Sequence, residues 1–388
     1  MSCSAEKERS HLMEKIHKLI LGLIPNQKCN LKCEYCYISQ LEAWDEPEKM
    51  KYSPEHIAKS LSKERLGGTS LINLTGNGET LIQPEMPAVI KALLDEGHFV
   101  EVVTNGTLTA RIDEILDQPK ENLARLFFKL SFHYKELGRL GIMDRFFDNV
   151  RKIHEAGASF TLELMAYDGI EDDIEDIKKV CLENAGAVCQ ATIGRNDKNN
   201  SELLSRHSKA DYADIWSALD SPMLDFKLEV LDVKRREFCY AGAWSLFVNL
   251  YTGEAQPCYW QPYNQNVFDL RKPILFEPVG HTCTRAYCIN AHAHLTWGLI
   301  PELDVPKYEV MRNRKMSNGE EWLSRECKEF FSTRLYETNK EFTPAQKKLY
   351  TVTHPARLVK WFARNGRNNT ARVTKHLKRS ARWKKDVR

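Results

Sequence analysis

Three cysteines fall within eight residues, at Cys29, Cys33 and Cys36, in the spacing C-x3-C-x2-C. Thiols this close do not make a disulfide set, because three is odd and near neighbours strain a bridge. They can wrap three corners of a cubic iron–sulfur cluster and leave the fourth iron without a protein ligand. An open iron is a place for a substrate or cofactor, whereas four-cysteine ligation closes the cluster. A structural zinc ion with a distant fourth ligand is the competing reading.

A second set begins near Glu237, in the pattern Cys239-x13-Gly253-x4-Cys258, followed by Cys283 and Cys288 in a C-x4-C pair. Val248-Asn249-Leu250 and Glu254-Ala255-Gln256 flank Tyr251-Thr252-Gly253, which reads as a β-hairpin ending on Cys258. Four cysteines gathered by a hairpin and a loop suit a closed four-thiolate site. Zinc has similar ligand needs, and His281, His292 and His294 lie near enough in sequence to replace one thiol. Cys3, Cys181, Cys189 and Cys327 are read as free thiols, with Cys181 and Cys189 packed in the last βα unit.

The elements that must position these thiols alternate in type. Strands are expected at Leu19–Ile24, Leu71–Thr75, Val100–Thr104, Leu126–Phe132, Thr161–Ala166 and Ala187–Ile193. Helices are expected between them, over Pro54–Leu66, Pro87–Glu96, Ala110–Leu116, Arg139–Ala156 and Asp172–Asn184. Repeated βα units imply an α/β fold with a parallel sheet. In such folds chemistry sits at the carboxyl ends of the strands. The first cysteine set follows strand one, Gly76-Asn77-Gly78-Glu79-Thr80 follows strand two, and Thr104-Asn105-Gly106 follows strand three. Ser131 and His133 end strand four, Asp168 follows strand five, and Arg195 follows strand six. All six would face one mouth.

The cysteine triple, with Tyr35 before its third cysteine, resembles that of the radical S-adenosylmethionine (SAM) superfamily. Gly76-Asn77-Gly78-Glu79 is similar to that family's Gly-Gly-Glu segment, whose backbone binds the SAM amino group; Asn77 and Thr80 depart from its commonest form. Glycines there let backbone approach a ligand or take positive φ, and Asn tolerates left-handed φ. The resemblance spans roughly residues 18–305. It implies an open, partial (β/α)6 TIM-like barrel over 19–232, after a leading helix over 1–18. It implies SAM and a [4Fe–4S] cluster on Cys29, Cys33 and Cys36. Tyr35, Gly76, Asn77, Gly78, Glu79, Asn105 and Ser131 would then lie about the cofactor. His133, Glu163 and Arg195 are the catalytic candidates, each weighed against an ordinary hydrogen-bonded structural role.

The C-x13-G-x4-C half of the second set resembles the auxiliary-cluster extension of SPASM and Twitch enzymes, here in the shorter, single-cluster Twitch form over 233–305. It implies an auxiliary [4Fe–4S] cluster on Cys239, Cys258, Cys283 and Cys288. A helical segment over 306–341, with a helix at Glu320 to Tyr336, and a basic tail over 342–388 complete the chain.

With 42% hydrophobic and 28% charged residues, the composition is that of a soluble globular protein. No apolar run nears the roughly 18 residues that span a bilayer. Eleven cysteines without a signal peptide point to a reducing, cytoplasmic setting. Residues 342–388 hold 14 Lys and Arg against one acid, Asp386. A helix from Pro355 sets Leu358, Val359 and Phe362 on one face beside Trp361, and a second follows Asn369 or Thr370. Basic amphipathic helices over 355–388 suit an anionic membrane surface; nucleic acid is the less favoured partner, and docking on the acidic body is the plain alternative. The leading expectation is an oxidoreductase acting on a small polar molecule, sugar or cyclitol-like, with reduced flavodoxin or ferredoxin as electron donor. Peptide modification is second, set back because only 28 residues precede Cys29, too few for a leader-binding domain. tRNA modification and a non-catalytic zinc protein that binds nucleic acid follow.

Overall fold

Period-two runs of aliphatic and aromatic residues make strands, and the helices between them enforce parallel crossovers. The computed structural model describes residues 14–46, 49–196, 202–259 and 264–365. Strands β1 (Lys18–Ile24), β2 (Ser70–Gly76), β3 (Phe99–Thr104), β4 (Leu126–Phe132), β5 (Ser159–Ala166) and β6 (Gln190–Ile193) pair in sequence order, every pair parallel. All six were expected, within three residues at their ends. Just past β6, β7 (Arg195–Asn196) and β8 (Glu202–Leu203) form a short antiparallel pair.

The expected hairpin is also present, as β9 (Ser245–Asn249) and β10 (Glu254–Gln256), with β11 (Gln265–Asn266) beside it. It does not stand apart from the sheet. β9 lies parallel to β1, from Leu19↔Ser245 to Leu23↔Asn249, so one nine-stranded sheet runs β11-β10-β9-β1-β2-β3-β4-β5-β6.

Alternate residues of each strand serve two cores. Ile20, Ile72, Leu74, Val100, Val102, Phe128 and Leu130 meet helix residues such as Ile57, Val89 and Leu93. On the other, inner face, Leu19, Leu71, Phe99 and Phe127 near the amino ends of their strands pack with Trp297, Tyr308, Phe330 and Phe331. Phe99 and Phe330 stack with ring centroids 3.8 Å apart. This apolar plug comes from the segment after the second cysteine set, so the end of the chain closes one end of the inner face.

Several expected helices are corrected, each for a local reason. Residues 14–17 are not helical and Lys18 opens β1; the rest of the leading helix, with Cys3, lies outside the described residues. Pro54–Leu66 divides into Pro54–Ser60 and Lys63–Leu66 because Ser62 caps the second, accepting from the Arg65 amide. Arg139–Ala156 shortens to Met143–Glu155, since Gly141 takes φ +63° and ends the preceding Tyr134–Arg139 helix. Of Glu320 to Tyr336, only Arg325–Phe331 is α-helical, capped by Ser324.

The tail expectation changes too. Pro344–Val352 is a helix, and a second one, His354–Asn365, follows it. Tyr350 donates to the Pro278 carbonyl (2.8 Å), Trp361 Nε1 to the Asn264 carbonyl (3.4 Å), and Leu358 is buried. This part of the tail docks on the body, although Val359 stays exposed. The second basic helix lies outside the described residues. Among those described, no helix is long and apolar enough to cross a membrane.

Candidate active site

The loop carrying Cys29, Cys33 and Cys36 leaves β1 and stays zippered to the turn that leaves β2. Asn77, Gly78 and Glu79 donate their amides to the carbonyls of Ile24 (3.1 Å), Asn26 (2.6 Å) and Lys28 (2.9 Å). The parallel pairing thus continues beyond both strands and ends at Cys29. Gly78 is required by this contact. A Cβ there would lie 2.1 Å from the Lys28 carbonyl oxygen. The anticipated positive φ is absent at Gly76, Asn77 and Gly78, so chain against chain, not a left-handed turn, demands the glycine. Gly78→Ala should therefore push the two loops apart at about 3 kcal/mol, the upper range for overpacking. Thermal melting should show that loss, and SAM affinity should fall at least about tenfold.

Buried polar groups fix the same loop from the side. The Glu79 carboxylate accepts from Thr104 Oγ1 (2.6 Å) and from the amides of Asn105 (2.8 Å) and Leu81 (3.0 Å). Burial raises its pKa, and these three donors oppose the rise. Asn105 Nδ2 donates to Asn30 Oδ1 (2.8 Å) and lies 3.8 Å from Cys29 Sγ, while Asn30 Nδ2 donates to Thr107 Oγ1 (2.7 Å). Across the loop, the Lys32 amide donates to Glu136 Oε1 (2.9 Å), and Arg139 holds that carboxylate from helix Tyr134–Arg139. Glu79 and Asn105 therefore brace the cysteine loop as well as lining the cleft.

The cleft offers about 230 Å³ of room. It is lined by the three cysteines, Tyr35, Gly76 to Thr80, Asn105, Ser131, His133 and Arg195, so strand-end residues β1 to β4 and β6 do meet in one mouth. Burial pushes the Cys29 thiol up to about 12, helped by Glu79, and drives Cys33 higher still. Such thiols ionise only against a bound cation. Among the described residues, no three of the cysteine sulfurs of either set lie within 4.8 Å of one another.

The catalytic candidates fare differently. His133 Nδ1 is hydrogen-bonded to the Tyr35 hydroxyl, and burial lowers its pKa to about 4. It stays neutral at pH 7 and orients Tyr35, which packs 4.6 Å from the Tyr167 ring. Glu163 is placed where it cannot serve as a base. Its Oε2 pairs with Lys129 (2.9 Å) and Arg312 (2.8 Å), and against burial these charges and Lys227 hold it down to about 2. Arg195 lines the cleft, with its carbonyl accepting from Gln40 Nε2 (3.2 Å). Asp168 lies aside from the cleft, bonded to Ser205 and the Arg206 amide. Sequence spacing gave no sign of Lys129, Lys227 or Arg312, whose partners come from elements far apart in the chain.

The second set is assembled by an antiparallel bridge between Cys239 and Gly280, which sets Cys239 near Cys283. Lys234 Nζ fixes the loop by donating to the Cys283 carbonyl (2.9 Å). Gly253 turns the hairpin at φ +72°, where a Cβ would lie 2.5 Å from the Phe268 ring. Cys239, Cys258, Cys283 and Cys288 all line one cavity of about 690 Å³, with His281 and His294 at its wall. Burial raises Cys258 to about 12, Cys239 higher still, and Cys288 well above the ordinary thiol value, with the neighbouring thiols adding to the rise. His281 Nδ1 is spent on the Arg236 carbonyl (2.8 Å). Cys181, Cys189 and Cys327 are buried free thiols.

Comparison with known proteins bears on residues 23–181. Residues 23–181 match the family model described as the Radical SAM superfamily. A 95-residue stretch is 34% identical to 7-carboxy-7-deazaguanine synthase of Aquifex aeolicus (strain VF5), over 23% of this chain and 40% of that protein. Among solved structures, Streptococcus suis SuiB bound to S-adenosylmethionine is similar at 15% identity and TM-score 0.47, over 65% of this chain and 64% of that one. Native anSMEcpe with bound AdoMet is similar at 17% identity and TM-score 0.47, over 67% and 80%. The chain thus spans less than two-thirds of the length of the synthase and of SuiB. The radical SAM match covers residues 23–181, less than half of the chain; SAM and a [4Fe–4S] cluster are the cofactors that it implies.

Proposed function

We propose that this chain, built on the radical SAM domain of residues 23–181, is an oxidoreductase of a small polar substrate, sugar or cyclitol-like. A second [4Fe–4S] cluster on Cys239, Cys258, Cys283 and Cys288 takes up the electron. The observation that carries this reading is the gathering of those four thiols around one cavity, beside a cleft that already has three. When bound, the cofactors of the cleft supply a 5′-deoxyadenosyl radical able to take a hydrogen atom from a C–H bond.

The chain's own residues have plainer tasks. Cys29, Cys33 and Cys36 hold the first cluster, and the zippered turn Gly76 to Glu79 presents backbone to the SAM amino group. Asn105 and Ser131 line the same wall. Tyr35, locked by His133, and Met165 and Trp44 screen the cleft from water. His133 and Arg195 position ligands, and Glu163 holds the inner charges in place. Reduced flavodoxin or ferredoxin is the proposed electron donor.

The test is deuterium transfer. Reduced enzyme, SAM and a panel of carbon-deuterated sugars and cyclitols should yield deuterated 5′-deoxyadenosine with one member. Transfer from deuterated peptides, and from no sugar or cyclitol, would replace this reading with peptide modification.

A further inference from the structure

The floor of the cleft rests on a buried layer of charge. Val103, Ser131 and Met165 line the cleft on β3, β4 and β5. Two residues earlier on the same face of each strand stand Glu101, Lys129 and Glu163. A strand rises about 3.3 Å per residue, so this layer lies roughly 7 Å beneath the floor. On β6 the corresponding residue is Thr192, and Lys227 reaches it from helix Pro222–Val230, Nζ to Oγ1 2.5 Å. Arg312 enters from the other side, on Glu163 and over the Tyr308 ring, while Tyr308 donates to Glu101 Oε2 (2.7 Å).

The charges do not balance. Lys129, Lys227 and Arg312, with Arg195 at the cleft wall, face the carboxylates of Glu163 and Glu101. Glu163 is already shared by Lys129 and Arg312. Lys227 is 7% exposed and has no carboxylate within ion-pair distance among the described residues. His292, on the first turn after the four-cysteine loop, has a buried Nδ1 without a hydrogen-bond partner. Lys227, Arg312, Lys129 and Arg195 all act to keep that ring unprotonated, after burial itself. Burial lowers the Lys227 ammonium to about 7 against the pull of Glu163, so its full charge at that depth calls for an anion to pair with it. Within the fold, Lys227 has the neutral Thr192 hydroxyl as its hydrogen-bond partner and only a longer-range pull from Glu163, which Lys129 and Arg312 already pair.

We propose that Lys227, with Arg195 at the cleft wall and with His292 on the helix Ala291–His294 that packs against helix Pro222–Val230, is an oxyanion-recognition site for the substrate. The substrate of the proposed oxidoreductase then bears a carboxylate or phosphate, which Lys227 pairs with while the C–H to be attacked is held up towards the cleft. Directed charge of this kind, desolvated on all sides, selects strongly against neutral analogues. The inference rests on the proposed function only for the purpose of the site; the site itself is a matter of binding.

Matched twins test it by calorimetry on the anaerobic holoenzyme with SAM present. D-gluconate against D-sorbitol probes a carboxylate, and D-glucose 6-phosphate against D-glucose probes a phosphate. At least one anionic member should bind about tenfold or more tightly than its neutral twin. That preference should vanish in Lys227→Met and persist in Lys227→Arg. Twins bound alike in both arms, weakly or tightly, would overturn the site, as would a preference unchanged in Lys227→Met. Should Lys227→Met not fold, the wild-type twins and Lys227→Arg still decide. Wild-type protein that fails to cleave SAM at all would instead count against the proposed function, and leaves the binding comparison intact.

Discussion

Cys33→Ala should abolish formation of 5′-deoxyadenosine from SAM while leaving the iron of the second site in place. Cys33 is the buried member of the first thiol set, and its carbonyl accepts the Cys36 amide at 3.1 Å, so the loop is built around it. Two thiols left at the cleft cannot hold three corners of a cubic cluster. Iron should drop from about eight to about four per chain, the content of one [4Fe–4S] centre. The neighbouring bonds of Lys32 to Glu136 and of Asn30 to Thr107 do not involve the Cys33 side chain, so the fold should survive. Retained SAM cleavage in Cys33→Ala would remove this loop from the reaction.

Cys239→Ala should give the complementary result. Iron again falls from about eight to about four, but SAM cleavage continues, uncoupled from substrate oxidation. The separation follows from placement: Cys239 is held by its bridge to Gly280, and its thiol faces a cavity that shares none of the first three cysteines. Unchanged iron in Cys239→Ala would refute the second cluster. Unchanged product yield with iron lost would keep the cluster but deny it the role of electron acceptor.

What the sequence made legible was local. Strand and thiol positions follow from period-two runs and cysteine spacing, and the structure keeps all six strands and gathers both thiol sets. Contacts between distant segments were not legible. Gly78 read as a ligand-facing glycine because the Lys28 carbonyl 50 residues earlier leaves no mark on the motif. Glu163 read as a catalytic candidate because its partner Arg312 lies 149 residues away. The hairpin read as a separate extension, since nothing in Ser245–Asn249 announces that its neighbour is β1. For Leu358 and Trp361 the sequence left membrane, nucleic acid and docking on the body all open, because amphipathic spacing does not say what the face meets. In each case the pattern gave the residue's type of interaction, and the tertiary structure supplied its partner.

Three thiols on one loop, and four drawn from the two ends of the hairpin and the loop after it, make the two proposed centres, the first of which opens SAM. Anaerobically reconstituted, reduced full-length protein incubated with SAM tests this most directly, with products resolved by liquid chromatography and mass spectrometry. Brown protein that converts SAM to 5′-deoxyadenosine and methionine is expected. Protein that carries its full iron yet returns SAM intact, or colourless protein with stoichiometric zinc, would contradict it.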